Sequence, residues 1–172
     1  CVYIGFGAES ASPSVLRAMK KGILNKDIMM EGIRNCENAG IHANCTWIMG
    51  YPTETLADLK TSIAFIKWQE EFYVSRGKSA DSVNKKMFTA TWYPGTEMGR
   101  QPKVQSILHE AFGINFNQAT GESICDENLR RYILELDDAT KLLCSPKNGE
   151  PLNYSDMPNS VFVKARNYID SG

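Results

Sequence analysis

The chain has 172 residues, of which 42% are hydrophobic and 23% are charged, a size and composition typical of one globular domain. Its 19 basic and 20 acidic side chains give a formal net charge of -1, so charge offers no argument for binding nucleic acid or an anionic membrane. No apolar run approaches the roughly 20 residues that cross a bilayer, and no signal-peptide pattern opens the chain. We therefore expect a soluble, cytoplasmic protein.

Five cysteines occur without any C-x-x-C pair, and their odd number predicts neither a zinc site nor a disulfide framework. Free thiols in a reducing compartment fit this pattern better. They are Cys1, Cys36, Cys45, Cys125 and Cys144. The chain begins without methionine and enters an apolar run directly, which indicates a chain cut inside a larger protein.

The first predicted element is a buried strand over residues 2–8, which ends in a polar loop at Glu9 and Ser10. Ser12 followed by Pro13 predicts the start of a short helix that runs to about Lys21. A second helix should follow, capped by Asn25 and ended by the left-handed Gly40.

A second strand is predicted from Ile41 to Met49, and it leads into the loop 50–54. Thr55 and Asp58 form a capping-box pattern that predicts the start of the longest helix, which Gly77 should end.

A third strand is predicted from Met87 to Trp92. Strands joined by helical crossovers pair in parallel, so the pattern predicts an α/β fold, either half of a barrel or an open sheet. Ligands bind at the carboxyl ends of parallel strands, which predicts a site at the rim made by residues 7–10, 50–54 and 92–97.

The last third of the chain has a weaker pattern, with a predicted helix at 126–144 and a candidate helix from Val161 to Ile169. The polar segment 115–122 separates the two parts. We divide the chain into a core, residues 1–114, and a mostly helical C-terminal extension, residues 115–172.

Three segments, taken in order, resemble the later strands of the radical S-adenosylmethionine (SAM) fold, especially its cobalamin-binding type. They are Ile4-Gly5-Phe6-Gly7-Ala8-Glu9-Ser10, Ile48-Met49-Gly50-Tyr51-Pro52-Thr53-Glu54 and Trp92-Tyr93-Pro94-Gly95-Thr96-Glu97. The resemblance covers about residues 2–97 and implies strands 4 to 6 of a partial (β/α) barrel.

This resemblance implies a fragment of a radical SAM enzyme that forms a 5′-deoxyadenosyl radical from SAM. The C-x-x-x-C-x-x-C motif that holds the [4Fe-4S] cluster is absent from this sequence. The cluster would therefore belong to a missing upstream part, and we expect no metal site in this chain. Without the cluster, the chain alone should be inactive. The parent protein would need an electron donor such as flavodoxin or ferredoxin, and cobalamin remains possible. Its reaction and its substrate, a small molecule or a peptide, stay open.

The resemblance also implies roles for residues at the rim. Glu9 would accept hydrogen bonds from the ribose hydroxyls or the ammonium of SAM, Lys21 would bind the SAM carboxylate, and Ser10 would support this polar cluster. A solvated carboxylate, a surface lysine and a serine turn are the structural alternatives.

The adenine ring is assigned to residues of the second and third rim segments. Ile48 would pack on the ring, Gly50 would allow close backbone approach, and Glu54 would chiefly shape the loop. Tyr93 and Gly95 would turn the chain over the adenine, with an ordinary proline turn as the alternative.

Two other functions remain as alternatives. One is an ordinary barrel enzyme that binds a phosphorylated or carbonyl substrate, and the other is a noncatalytic α/β binding module. A barrel opened at its fourth strand would leave an unpaired apolar edge at residues 2–8, which favours association or aggregation.

Overall fold

The structure, a computed structural model, describes residues 1–22, 24–93, 95–124 and 151–171. These residues form five strands and five α-helices. The elements are β1 (Tyr3–Glu9), α1 (Pro13–Ala18), α2 (Lys26–Asn38), β2 (His42–Met49), α3 (Leu56–Ser75), β3 (Met87–Thr89), α4 (Pro102–Phe112), β4 (Asn115–Phe116), β5 (Ser123–Ile124) and α5 (Asn159–Ser171).

The chain divides into two compact units, one formed by Cys1–Phe88 with Ser155–Gly172 and the other by Thr89–Tyr154. The first contains the helices α1, α2, α3 and α5, and the second contains α4 and the β4–β5 hairpin. Along the chain, the second unit is therefore an insertion between β3 and α5. The predicted division into a core, residues 1–114, and a helical extension, residues 115–172, stays a prediction.

The first three strands form one sheet in the order β1-β2-β3. β1 and β2 are parallel, with a register that runs from Tyr3 opposite His42 to Gly7 opposite Thr46. The predicted α/β class with a parallel sheet is confirmed. The predicted partial barrel is not confirmed, because the first three strands of the described residues form an open sheet.

The two faces of β2 differ in burial, as the two-residue repeat of a strand requires. One face is buried in a core that also contains residues of α2 and α3, and it carries Ala43, Cys45, Trp47 and Met49. The other face is half-buried or exposed and carries His42, Asn44, Thr46 and Ile48. Burying one large apolar side chain stabilises the folded state by about 2 kcal/mol, so the packing of this face against the helices stabilises the sheet.

Most predicted helix boundaries are confirmed. The Asn25 side chain accepts a hydrogen bond from the backbone of α2, and Thr55 with Asp58 forms the predicted capping box of α3. Gly40 and Gly77 follow these helices with φ of 73° and 77°. The helix α1 is shorter than predicted and ends at Ala18, because the backbone turns left-handed two residues later.

The third strand is also shorter than predicted, since β3 ends at Thr89 instead of Trp92. In the predicted extension, α5 confirms the helix expected from Val161 to Ile169. Residues 115–124 form an antiparallel hairpin that the sequence analysis did not predict, closed by a turn in which the Gly121 N–H bonds to the Asn117 carbonyl at 2.7 Å. The helix expected at 126–144 lies outside the described residues.

None of the helices described here combines the length and apolar character that a membrane span requires.

Candidate functional site

The turn that ends β1 is irregular. Gly7 pairs with Thr46 and Glu9 pairs with Trp47, so the residue between Gly7 and Glu9 bulges out of the register. Glu9 has a φ of 62°, in the left-handed region that a side chain disfavours by about 1–3 kcal/mol. Strain of this kind at the carboxyl end of a parallel strand is a reason to look for a function there.

The strained turn brings Glu9 next to Lys21. The Lys21 Nζ lies 3.3 Å from Glu9 Oε1 and also donates to the Gly7 carbonyl at 3.2 Å. The side chains are 19% exposed for Glu9 and 38% for Lys21, so both remain accessible to a ligand. Two residues predicted to contact SAM therefore lie side by side, as an ion pair at the end of β1.

Gly7 makes room for this ion pair. A Cβ atom at Gly7 would lie 2.8 Å from Glu9 Oε1, closer than real contacts allow. The Glu9 carboxylate thus folds back over a strand position that has no side chain.

Ser10 lies behind the ion pair and is fully buried. Its hydroxyl accepts a hydrogen bond from the Ser12 N–H at 3.1 Å and lies 3.3 Å from the Ser62 hydroxyl. The first contact is the serine turn that was the structural alternative for Ser10. Its predicted role in supporting a SAM site stays a prediction.

Asp58 connects the turn after β1 to the start of α3. Its Oδ1 accepts hydrogen bonds from the hydroxyls of Ser12 and, at 2.7 Å, Ser14, while its Oδ2 accepts from the Thr55 N–H at 2.9 Å. Burial opposes ionisation, but hydrogen bonds from Ser12, Thr55 and Ser14 lower the Asp58 pKa to about 2. The sequence predicted only the local capping box, because the bonds to Ser12 and Ser14 span more than 40 positions and leave no local pattern.

The turn after β2 is built around Glu54. The Glu54 Oε2 accepts the Gly50 N–H at 2.6 Å, and Gly50 and Thr53 have φ of 84° and 73°. Glu54 is 0% exposed, and burial raises its pKa to about 7, with a further contribution from the Asp58 charge. Glu54 therefore shapes this loop from inside the protein.

The side chain that lies closest to Gly50 is the aromatic ring of Phe162. A Cβ atom at Gly50 would lie 2.8 Å from the Phe162 ring of α5, so the space beside Gly50 is filled by the C-terminal helix. Ile48 lies on the less buried face of β2, the face that also carries Thr46, the partner of Gly7. Contact of Gly50 or Ile48 with adenine stays a prediction.

Tyr93 and Gly95 belong to the second unit. Tyr93 is exposed, Gly95 has a φ of 79°, and the Thr96 hydroxyl donates to the Tyr93 carbonyl at 2.7 Å. These contacts define a turn, and its predicted role over adenine stays a prediction.

Two cavities of the first unit help to locate the site. One, of about 410 Å³, is lined by Gly7 and Lys21 together with apolar side chains that include Phe6, Leu16 and Ile33. A larger one, of about 720 Å³, lies near the amino ends of β2 and β3 and is lined by polar residues such as Asn44 and Ser82. Ligands of parallel α/β folds bind at the carboxyl ends of the strands, which favours the smaller cavity, because Gly7 lies near the carboxyl end of β1 and Lys21 pairs with Glu9.

A comparison with known proteins finds a relative in Pyrococcus horikoshii, an uncharacterized methyltransferase. It is 32% identical over 109 residues, which are 63% of this chain and 21% of the relative. The chain therefore spans about a fifth of the length of the curated relative that it matches. No family model matches the chain.

This relative corrects the radical SAM resemblance. Its name indicates methyl transfer, not reductive cleavage of SAM, so the predicted radical SAM membership, function and enzyme class are wrong. The expected [4Fe-4S] cluster and cobalamin have no support, and the described residues contain no group of three His, Cys, Asp or Glu that could hold a metal ion. The resemblance rested on strand-end turns of glycine, proline and carboxylate, and these serve many parallel α/β folds.

Proposed function

We propose that the protein is a SAM-dependent methyltransferase and that this chain supplies part of its SAM site. The match to the Pyrococcus horikoshii methyltransferase carries this proposal. The Glu9–Lys21 pair gives it a location, because its two charges suit the charged end of SAM.

The amino-acid end of SAM is a zwitterion with an ammonium and a carboxylate on one carbon. Glu9 can accept hydrogen bonds from the ammonium, and Lys21 can donate to the carboxylate. Charge-assisted hydrogen bonds of this kind contribute about 1.5–3 kcal/mol each. The existing ion pair is partly exposed and therefore weak, so it competes little with the ligand.

The surroundings of the pair support the same assignment. Gly7 has no side chain, so the Glu9 carboxylate can lie over β1 beside Lys21, and Ile48 offers an apolar side chain on the less buried face of β2 for the adenine ring. Glu54 does not take part, because a fully buried carboxylate bonded to Gly50 cannot reach a ligand.

Methyl transfer needs a donor whose methyl group faces the acceptor, with the sulfur on the opposite side of the methyl carbon. An electron pair of the acceptor attacks the methyl carbon, the carbon–sulfur bond breaks, and its electrons return to sulfur to leave S-adenosylhomocysteine. In this reaction Glu9 and Lys21 bind and orient the donor, which places the methyl group for attack.

The proposal is tested with the protein produced from its complete gene and SAM labelled in the methyl group. We expect label in an acceptor from a cell extract, one S-adenosylhomocysteine for each methyl transferred, and a large loss of both in Lys21→Met. Lys60→Met, on the exposed side of α3, is the matched control and should keep the activity. Failure to bind SAM, or release of 5′-deoxyadenosine in place of S-adenosylhomocysteine, would contradict the proposal.

A further inference from the structure

The helix α3 contacts the strained turn after β1 through a side chain on its second turn. Ser62 is buried, and its hydroxyl accepts a hydrogen bond from the Ala11 N–H at 3.0 Å. The same hydroxyl lies 3.3 Å from that of Ser10, which in turn accepts the Ser12 N–H. One serine of α3 thus contacts Ser10 and Ala11 directly and Ser12 through the Ser10 hydroxyl.

Asp58 holds the next part of the turn from one helical turn earlier in α3. Its carboxylate accepts hydrogen bonds from the hydroxyls of Ser12 and Ser14, and it also caps α3 through Thr55. Asp58 and Ser62 are four positions apart, so they lie on the same face of the helix. This face therefore binds the whole segment from Ser10 to Ser14.

The segment needs such support because Glu9 precedes it in a disfavoured conformation. A left-handed residue other than glycine persists only when its surroundings leave no alternative. Ser10 and Ala11, the two residues after Glu9, are fully buried, and Ser62 satisfies the polar groups that this burial removes from water.

We infer that Ser62 and Asp58 are positioning residues that hold Glu9 in the conformation that receives the SAM ammonium. The inference rests on the proposed function, since it assigns these residues to the same site. Neither side chain contacts the ligand; both act through the turn.

The test is a double-variant cycle on SAM affinity, measured by calorimetry on the protein from its complete gene. Ser62→Ala should weaken SAM binding by about tenfold, because the freed turn lets the carboxylate leave its place. In a Glu9→Gln background the same substitution should change the affinity less than about twofold, because no carboxylate remains to be positioned. Thr61→Ala, whose hydroxyl bonds only within α3 to the Ala57 carbonyl, is the matched control and should leave the affinity unchanged.

Asp58→Asn provides a second variant if Ser62→Ala does not fold, and it should show the same dependence on Glu9. An equal loss of affinity with and without Glu9 would overturn the inference, since it would assign both residues a merely structural role. Unchanged SAM affinity in the folded Ser62→Ala protein would overturn it as well. Failure of the unaltered protein to bind SAM would instead reject the proposed function, and the inference with it.

Discussion

Two neighbouring strands of the sheet end in turns that each contain a glutamate, and the two glutamates differ in almost every physical respect. Glu9, the last residue of β1, is partly exposed and paired with Lys21. Glu54, after β2, is fully buried, bonded to the Gly50 N–H, and has a pKa near 7. The same side chain at the same edge of a sheet is thus accessible to a ligand in one turn and shapes the loop itself in the other.

The covering of each turn accounts for this difference. Phe162 of α5 packs against Gly50 and closes the space over the second turn. Over the first turn, Gly7 leaves room that the Glu9 carboxylate fills, with Lys21 beside it. Burial under α5 therefore removes the Glu54 carboxylate from solvent, whereas the Glu9 carboxylate stays partly exposed.

The largest loss of stability is expected from the Gly50→Ala substitution. The substitution places a Cβ at a φ of 84° and at 2.8 Å from the Phe162 ring, and together these should lower the free energy of unfolding by about 3 kcal/mol. Urea unfolding measures the loss. Gly32→Ala in α2, where an added Cβ meets nothing within 4 Å, is the control and should not destabilise the protein. Equal stability of the two variants would show that the second turn is not closely packed.

The next effect is the pH dependence that Glu54 imposes on stability. Its folded pKa of about 7 exceeds the ordinary glutamate value of 4.5, so its contribution to stability is fully present below pH 4.5 and is lost as the pH rises through 7. Between pH 5.5 and 8.5 the loss should be roughly 2 kcal/mol.

The Glu54→Gln variant keeps an acceptor for the Gly50 N–H but cannot ionise, so it should lack this part of the pH dependence. The measurement compares the free energy of unfolding of the two proteins at both pH values. Asp58 does not interfere, because its pKa of about 2 places its titration at much lower pH. Parallel pH profiles would show that Glu54 is ionised throughout, against the account given for the second turn.

The smallest effect on stability, but a specific one on binding, is expected from Gly7→Ala. The new Cβ displaces only the flexible end of Glu9, so stability should change by less than about 1 kcal/mol while SAM affinity falls about tenfold. Gly5→Ala, two residues earlier on the same face, meets its nearest neighbour at an ordinary 3.7 Å and should leave both quantities unchanged. Calorimetry and urea unfolding separate the two effects, and unaltered binding in Gly7→Ala would remove Glu9 from the site.

Much of the fold could be predicted from local patterns. The two long helices follow from the caps at Asn25 and Thr55, and β2 follows from the β-forming residues at its end, because each signal acts within a few residues. The end of β3 at Thr89 could not be predicted, since the β-forming residues continue to Trp92 and only tertiary structure ends the strand.

The candidate site was predictable in its position but not in its contacts. The rule that ligands bind at the carboxyl ends of parallel strands located Glu9, whereas Lys21 was implied only by the family resemblance. The left-handed turn at Glu9, the burial of Glu54 beneath α5 and the support from Ser62 all depend on residues far apart in the chain. The family resemblance was mistaken because it rested on turn residues, which indicate local backbone geometry and not the chemistry of a site.

The most direct test of the central claim is to compare SAM with decarboxylated SAM, which keeps the ammonium but lacks the carboxylate. If Lys21 binds that carboxylate, the unaltered protein should bind SAM at least about tenfold more tightly than decarboxylated SAM, and Lys21→Met should lose this preference while still binding both ligands. A preference that survives unchanged in Lys21→Met would contradict the assignment of the Glu9–Lys21 pair as the site for the amino-acid end of SAM.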